Sequence, residues 1–182
     1  MPAKREALNQ NVSWAERQQA LVKIEQFHIA GAVAIKTPQQ AQTANVNWQQ
    51  QQQTFAIALY GPLGAGRVTL SGAPGHTQLL ASGKTYRAKT PEALMQQVLG
   101  WHLPISHLDY WIRGLPAPHS PAQLHFDEFN HLIQLQQDGW QIDYQRYTAV
   151  EQYDLPSKLQ MTYDGKLGHL SVRMVISQWT LA

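Results

Sequence analysis

Phe55-Ala-Ile-Ala-Leu-Tyr-Gly-Pro-Leu-Gly-Ala-Gly-Arg-Val-Thr-Leu-Ser71 decides how this chain is read. Phe55, Ile57 and Leu59 alternate with smaller residues, the period of a half-buried strand. Val68 and Leu70 alternate with Arg67, Thr69 and Ser71 in the same way. Between these arms lies Gly61-Pro62-Leu63-Gly64-Ala65-Gly66, a turn whose glycines admit backbone conformations closed to other residues. Its only sizeable side chain is Leu63, and an apolar tip is costly in water without an apolar partner. Leu63 therefore either folds back onto the core or touches a membrane. The spacing Gly61-x-x-x-x-Gly66 also matches a phosphate loop. That reading fails because Arg67 and Val68 stand where the lysine and hydroxyl belong, and a strand follows where a helix is needed.

The 182 residues favour one domain, with residues 1–12 a flexible N-terminal segment. Charged residues make up only 14 %, where about a quarter is usual. The net charge of +2 gives no case for nucleic acid as a partner. No run approaches the roughly 18 apolar residues of a membrane-spanning helix. Met1-Pro2-Ala3-Lys4-Arg5 leads straight into polar sequence, unlike a signal peptide. The absence of cysteine excludes disulfides, cysteine-ligated metal and thiol chemistry.

Outward from the central hairpin, the signals alternate between strand and turn. Ser13-Trp14-Ala15-Glu16 is a capping box; it opens a helix with Trp14, Leu21 and Ile24 on one face, ending near Glu25. Phe27–Ile35 and Gln42–Gln50 read as strands, with Gln49–Gln53 leading into a hairpin connection. His76–Ala81, Ser82-Gly83 and Lys84–Ala88 form another hairpin. Thr90-Pro91 starts a helix with Leu94, Met95, Val98 and Leu99 on one face, closed by Gly100. Leu103-Pro104 opens a second, Ile105 to Ile112. Gln123–Glu128 and His131–Gln137 pair, Asp138-Gly139 turns the chain, and Trp140, Ile142 and Tyr144 alternate after it. Leu155-Pro156 breaks the chain before a last hairpin of Lys158–Tyr163 and Leu170–Trp179. In its second arm, Leu170, Val172, Met174 and Ile176 share one face, and Arg173, Val175, Ser177 and Trp179 the other. The pattern predicts a mainly β protein with some α, an antiparallel sheet curled into a barrel or half-barrel. The apolar faces of the two mid-chain helices belong on its concave side.

Chemistry is sparse. His119, His125 and His131 are six apart, and His102 and His107 five apart; neither spacing puts two ligands on one helical turn, and Asp127 and Glu128 complete no ligand set. No metal and no cofactor is expected. Ser106-His107-Leu108-Asp109 holds the residue types of a hydrolase triad, but consecutive helical residues face different ways, and no Gly-x-Ser-x-Gly elbow is present. The chain does not read as an enzyme. Six tryptophans and seven tyrosines are more informative: large aromatics on a concave sheet can hold an apolar ligand.

The order Trp48, Leu59-Tyr60-Gly61-Pro62-Leu63-Gly64, Gly83-x-x-Tyr86-x-Ala88, Gly100-x-x-Leu103-Pro104, Trp111-Ile112-x-Gly114-Leu115-Pro116, Gly139-Trp140-x-Ile142-x-Tyr144, Leu155-Pro156-x-x-Leu159 and Trp179 resembles the LolB family. The match runs from about Trp14 to Trp179. The resemblance implies a half-barrel of about eleven antiparallel strands under a helical lid, with an apolar cavity for lipoprotein acyl chains. Trp48, Phe55, Leu94, Trp140 and Tyr144 are expected to contribute to that cavity. It implies a membrane-insertion loop, Gly61, Pro62, Leu63 and Gly64. It also implies a LolA-type carrier, acylated lipoproteins and outer-membrane lipid as partners of a monomer at the periplasmic face of the outer membrane. The family's lipid-modified N-terminal cysteine is absent, as expected of a chain cut after its lipobox. Gly31 lacks the arginine often found beside it in carriers and receptors, and His131 stands where relatives often have arginine. The alternatives are a soluble carrier of the LolA type, which needs no membrane-touching tip, and a structural outer-membrane protein without a cavity.

Overall fold

The structure, a computed structural model, describes residues 6–61, 66–165 and 168–181. Among them, eleven strands form one open antiparallel sheet in the order β6-β5-β4-β3-β2-β1-β11-β10-β9-β8-β7. The first six are β1 (Gln26–Lys36), β2 (Ala41–Gln51), β3 (Thr54–Tyr60), β4 (Val68–Ala73), β5 (His76–Ala81) and β6 (Lys84–Ala88). The rest are β7 (Ala122–Phe126), β8 (Leu132–Gln137), β9 (Trp140–Val150), β10 (Tyr153–Gly165) and β11 (Gly168–Leu181). Nearly all neighbours are hairpin partners, because each turn returns the chain beside the strand it has just left. Closure between β1 and β11 joins the two ends of the chain. β6 and β7 remain as the free edges, so the sheet is a half-barrel.

Alternation decides which face is buried. Phe27, Ile29, Val33 and Ile35 of β1, Val46 and Trp48 of β2, Ile57, Leu70 and Leu79 all point into one core. Helices α2 (Pro91–Leu94) and α3 (Ile105–Trp111) cover that core, α2 packing over β4, β5 and β6. Helix α1 (Trp14–Val22) starts at Ser13, whose hydroxyl accepts from the Glu16 amide at 3.2 Å. It stops at Val22, short of Glu25, and β1 begins almost at once.

Several expectations need correction. Leu155-Pro156 does not break the chain: β10 runs straight through it. The ladder slips register on either side of Lys158, and such an irregularity is where a sheet tolerates a residue without an N–H. Trp179 does not share a face with Ser177. Ala30 pairs with Gln178 and Gly31 with Ile176, so Ser177 is an extra residue that flips the phase of β11. Trp179 thereby joins the buried side, against Phe27 at 5.4 Å, and donates from Nε1 to the Pro156 carbonyl at 2.8 Å. Only glycine suits position 31 beside this bulge, since a Cβ there would collide with the Val175 carbonyl. Finally, the helix from Pro91 is not uniform. After one α-turn it widens into a π-helix, Met95–Leu99, before Gly100 closes it at φ 74°.

Residues 6–12, expected to be flexible, are hydrogen-bonded to the fold: the Ala149 amide donates to the Glu6 carbonyl at 3.3 Å and the Asn130 side chain to the Val12 carbonyl at 2.8 Å. The Leu8 and Asn9 amides donate to the Asp154 carboxylate at 2.6 and 3.0 Å. Asp154 is buried and also meets His131 Nε2 at 2.7 Å, while His131 Nδ1 meets Asp127 at 2.7 Å. Burial by itself would lower the His131 pKa, but the bonds to Asp154 and Asp127 more than offset it and raise it. Burial likewise opposes the two carboxylates, and their bonds to His131 and to backbone amides hold both below their ordinary value.

Candidate functional site

Antiparallel pairing sorts the connections between two ends of the barrel. Residues 37–40 and the β3–β4 connection lie at one end; Gln52-Gln53 and Pro74-Gly75 lie at the other. Between them, under the lid, runs an apolar seam. Its middle is a void of about 40 Å³, walled by side chains that include Val46, Trp48, Ile57 and Leu70 from the sheet and Met95, Ile105 and Leu108 from the lid. That is room for no more than a few water-sized groups, so this is a closed state.

A cleft flanks the seam at each end. Toward the β3–β4 connection lies a cleft of about 310 Å³, lined by Leu59, Tyr60, Gly61, Gly66, Leu99 and Trp101 among others. Val33, Ile35, Leu59 and Val68 belong to both spaces. At the opposite end, Trp48 and Ile105 pass from the void into a larger cleft of about 860 Å³. This cleft is polar, with Gln50 to Thr54, Thr77, Thr90, Ser106, Asp109 and Arg113 on its walls.

The lid is fixed at defined points. Arg113 is buried and donates to the Leu21 and Ile24 carbonyls at 3.2 and 2.8 Å, and to the Asp109 carbonyl at 2.9 Å. It thus closes the end of α1 and ties α3 to it. Its guanidinium lies 3.5 Å from the Asp109 carboxylate. Burial raises the Asp109 pKa and lowers that of Arg113, each partly offset by the other's charge. By contrast, α2 is joined to α3 by an exposed bond, the Ser106 amide donating to Glu92 at 2.9 Å. The π-helix next to it is the irregular element of the lid, and such segments are frequent at functional sites.

The five aromatic and aliphatic residues singled out from the sequence fall in three places. Trp48 walls the void and the polar cleft, and Phe55 stands at the mouth of that cleft. Leu94 is fully buried beneath α2. Trp140 and Tyr144 line neither space: Trp140 packs 6.1 Å from the Trp111 ring, and the Tyr144 hydroxyl donates to the Trp111 carbonyl at 2.6 Å. Of the loop residues, Gly61 borders the smaller cleft; Pro62, Leu63 and Gly64 lie outside the described residues. Sequence reasoning missed Met95, Thr77 and Arg113. Arg113 alone carried a signal, as the one charge inside the apolar run Trp111 to Pro116. Among the described residues no group of three acidic or histidine side chains is arranged to hold a metal ion, and no helix is long and apolar enough to cross a membrane.

This open antiparallel half-barrel with a helical lid over an apolar seam is a fold shared with solved structures. A solved LolA superfamily protein from Nitrosomonas europaea superposes with a TM-score of 0.59 over 94 % of each chain, at 8 % identity. A DUF1329 family protein from Desulfovibrio piger gives 0.55, covering 92 % of this chain and 90 % of its own. Sequence is more particular. Residues 25–179 match the family of the outer membrane lipoprotein LolB. The outer-membrane lipoprotein LolB of Chromohalobacter salexigens is 42 % identical over 168 residues, 92 % of this chain and 77 % of its own. Those of Coxiella burnetii and Pseudomonas aeruginosa are 44 % and 40 % identical over 92 % of this chain, and 78 % and 80 % of their own. The chain belongs to the LolB family.

Proposed function

We propose that this chain takes acylated lipoproteins from a LolA-type carrier, shelters their acyl chains in the seam beneath α2, and inserts them into the outer membrane. Membership of the LolB family makes it a lipoprotein receptor of the Lol pathway and not an enzyme. The single observation that carries the finer reading is the apolar seam between sheet and lid, which shares wall residues with a cleft at each end. Trp48 serves the acyl chains from the sheet and Leu94 from the lid, with Phe55 beyond Trp48 in the larger cleft; Trp140 and Tyr144 support α3 from behind through Trp111. The protein works as a monomer on the periplasmic face of the outer membrane, lipid-anchored in its full-length form. Gly61, Pro62, Leu63 and Gly64 form the membrane-touching loop. That loop, together with the family match, favours a receptor over a soluble carrier.

The energetics fit transfer without an energy source. Each buried CH₂ is worth about 0.8 kcal/mol, so a chain of about sixteen carbons gains on the order of 13 kcal/mol. That is enough to displace lid contacts, and on this reading they are exchanged, since a void of about 40 Å³ is too small for an acyl chain. Mixing this chain with carrier loaded with a triacylated lipoprotein should move the cargo onto it, seen as co-elution; cargo that stays on the carrier overturns the reading. The lid step has its own test. Because the chain has no cysteine, a single engineered pair can join α2 to β5 at positions whose Cα atoms lie about 4.4–6.8 Å apart. Oxidised, the variant should refuse cargo, and reduction should restore acceptance. Unchanged transfer in the oxidised form would show that acyl chains enter elsewhere.

A further inference from the structure

The polar cleft is chemically unlike the seam it joins. Its walls carry Gln50, Gln51, Gln52, Gln53, Thr54 and Thr90, neutral groups that both donate and accept hydrogen bonds. One of its groups is unemployed. The Thr77 hydroxyl is buried, in a residue only 3 % exposed, and has no hydrogen-bond partner. A buried hydroxyl without a partner carries a desolvation penalty, and such exceptions call for an explanation. Nearby polar groups are already committed: the Gln50 amide accepts from Trp48 Nε1 at 2.9 Å and donates to the Gln52 carbonyl at 2.8 Å. Arg113 is spent on three carbonyls. Glu25 and Lys89 border the cleft as exposed charges, and Asp109 faces Arg113 at 3.5 Å; the glutamine and threonine side chains on the same walls offer the paired donors and acceptors that suit amide groups.

Position adds a direction. The cleft begins where the void ends, at Trp48 and Ile105, on the end of the barrel opposite the β3–β4 connection. A molecule with acyl chains in the seam and its polar part here would point its chain ends toward Gly61 and Gly66. From this we infer that the cleft is a second subsite, which holds the short peptide stretch following the acylated cysteine by hydrogen bonds to its main-chain amides. The inference rests on the acyl-chain reading of the seam. A volume of about 860 Å³ accommodates a few residues and not a folded domain. The peptide end is then gripped while the chain ends face the loop that meets the membrane.

The test compares two ligands. One is a triacylated cysteine ester; the other is the same triacylated cysteine extended by a Ser-Gly-Asn-Ser peptide. The wild type should bind the extended ligand about tenfold more tightly. Thr77→Val keeps the side chain's shape and removes the unpartnered hydroxyl, so the protein should be no less stable to urea. In this variant the tenfold advantage should fall to less than threefold, while the peptide-free ligand, which reports the seam by itself, should bind as before. Equal binding of both ligands to the wild type overturns the peptide subsite and leaves the acyl-chain reading intact. Failure of either ligand to bind overturns the acyl-chain reading instead. An unchanged advantage in Thr77→Val, with slower transfer from loaded carrier, would assign the cleft to the carrier and overturn the inference.

Discussion

Leu63→Glu should leave cargo acceptance intact and abolish delivery. Burying a leucine in hydrocarbon is worth about 1.5–3 kcal/mol. That is too little to hold a protein at a bilayer and enough to bias brief contacts, which suits a tip that must touch, deliver and withdraw. A carboxylate there reverses the sign, because a charge resists leaving water. The cleft lined by Gly61 and Gly66 lies at the same end of the barrel as the β3–β4 connection, which is the end where the proposed reading has acyl chains leave. Two assays separate the steps: loss of cargo from the carrier reports acceptance, and appearance of cargo in outer-membrane lipid vesicles reports delivery. Acceptance at the wild-type rate with delivery reduced by a hundredfold or more is the expected pair. Should the variant unfold, or should acceptance fail with it, Leu63 belongs to the core or to the carrier-docking surface, and the membrane assignment is wrong.

The largest effect on stability is expected at His131. His131→Ala strips the buried Asp154 of its charged partner, and breaking such a pair typically costs about 3–5 kcal/mol. The docked segment 6–12 should loosen with it, since its Leu8 and Asn9 amides depend on the same carboxylate. The pH dependence follows from the shifts. His131 has a raised pKa when folded, so its contribution is complete below the unfolded value near 6.5 and is lost as pH rises through the folded one. Asp127 and Asp154 have depressed values, so theirs is complete above about 3.9 and is lost as pH falls through the folded ones. The gap between wild type and His131→Ala in urea unfolding should be widest between about pH 4 and 6.5, narrowing on either side. A gap that instead grew from pH 6 to pH 9 would show that the neutral imidazole, and not its cation, holds the cluster. Stacking of the Tyr147 ring on His131 at 4.7 Å does not change this sign, because burial keeps that phenol protonated throughout.

Local chemistry in the sequence was enough for most of the fold. Period-two alternation in Phe27–Ile35, Phe55–Leu59 and Trp140–Tyr144 depends only on which side chains avoid water, so strands and buried faces could be read without tertiary information. Turn residues such as Asp138-Gly139 and Ser82-Gly83, and caps at Ser13, Thr90 and Gly100, act within a few residues of themselves. The order of widely spaced motifs pointed to the LolB family before any coordinates. What local rules could not give were features set by two distant segments at once. The bulge at Ser177 that turns Trp179 inward exists because β11 must follow β1 past Gly31. The passage of β10 through Pro156 depends on a slip against β9. His131 stood in the sequence only as one of three histidines six apart that complete no ligand set, until Asp154, 23 residues on, closed over it. Trp48 and Trp140 were equivalent as aromatic residues on alternating strands; the lid separated them, placing one on the seam and the other behind α3. The cleft with the unpartnered Thr77 hydroxyl lies between strand ends, a lid helix and the end of α1, segments that meet only once the half-barrel has closed around its core. Sequence settles which residues are buried because burial is a property of each side chain; which buried residues surround an empty space is a property of how separate segments fit, and only the tertiary structure decided it.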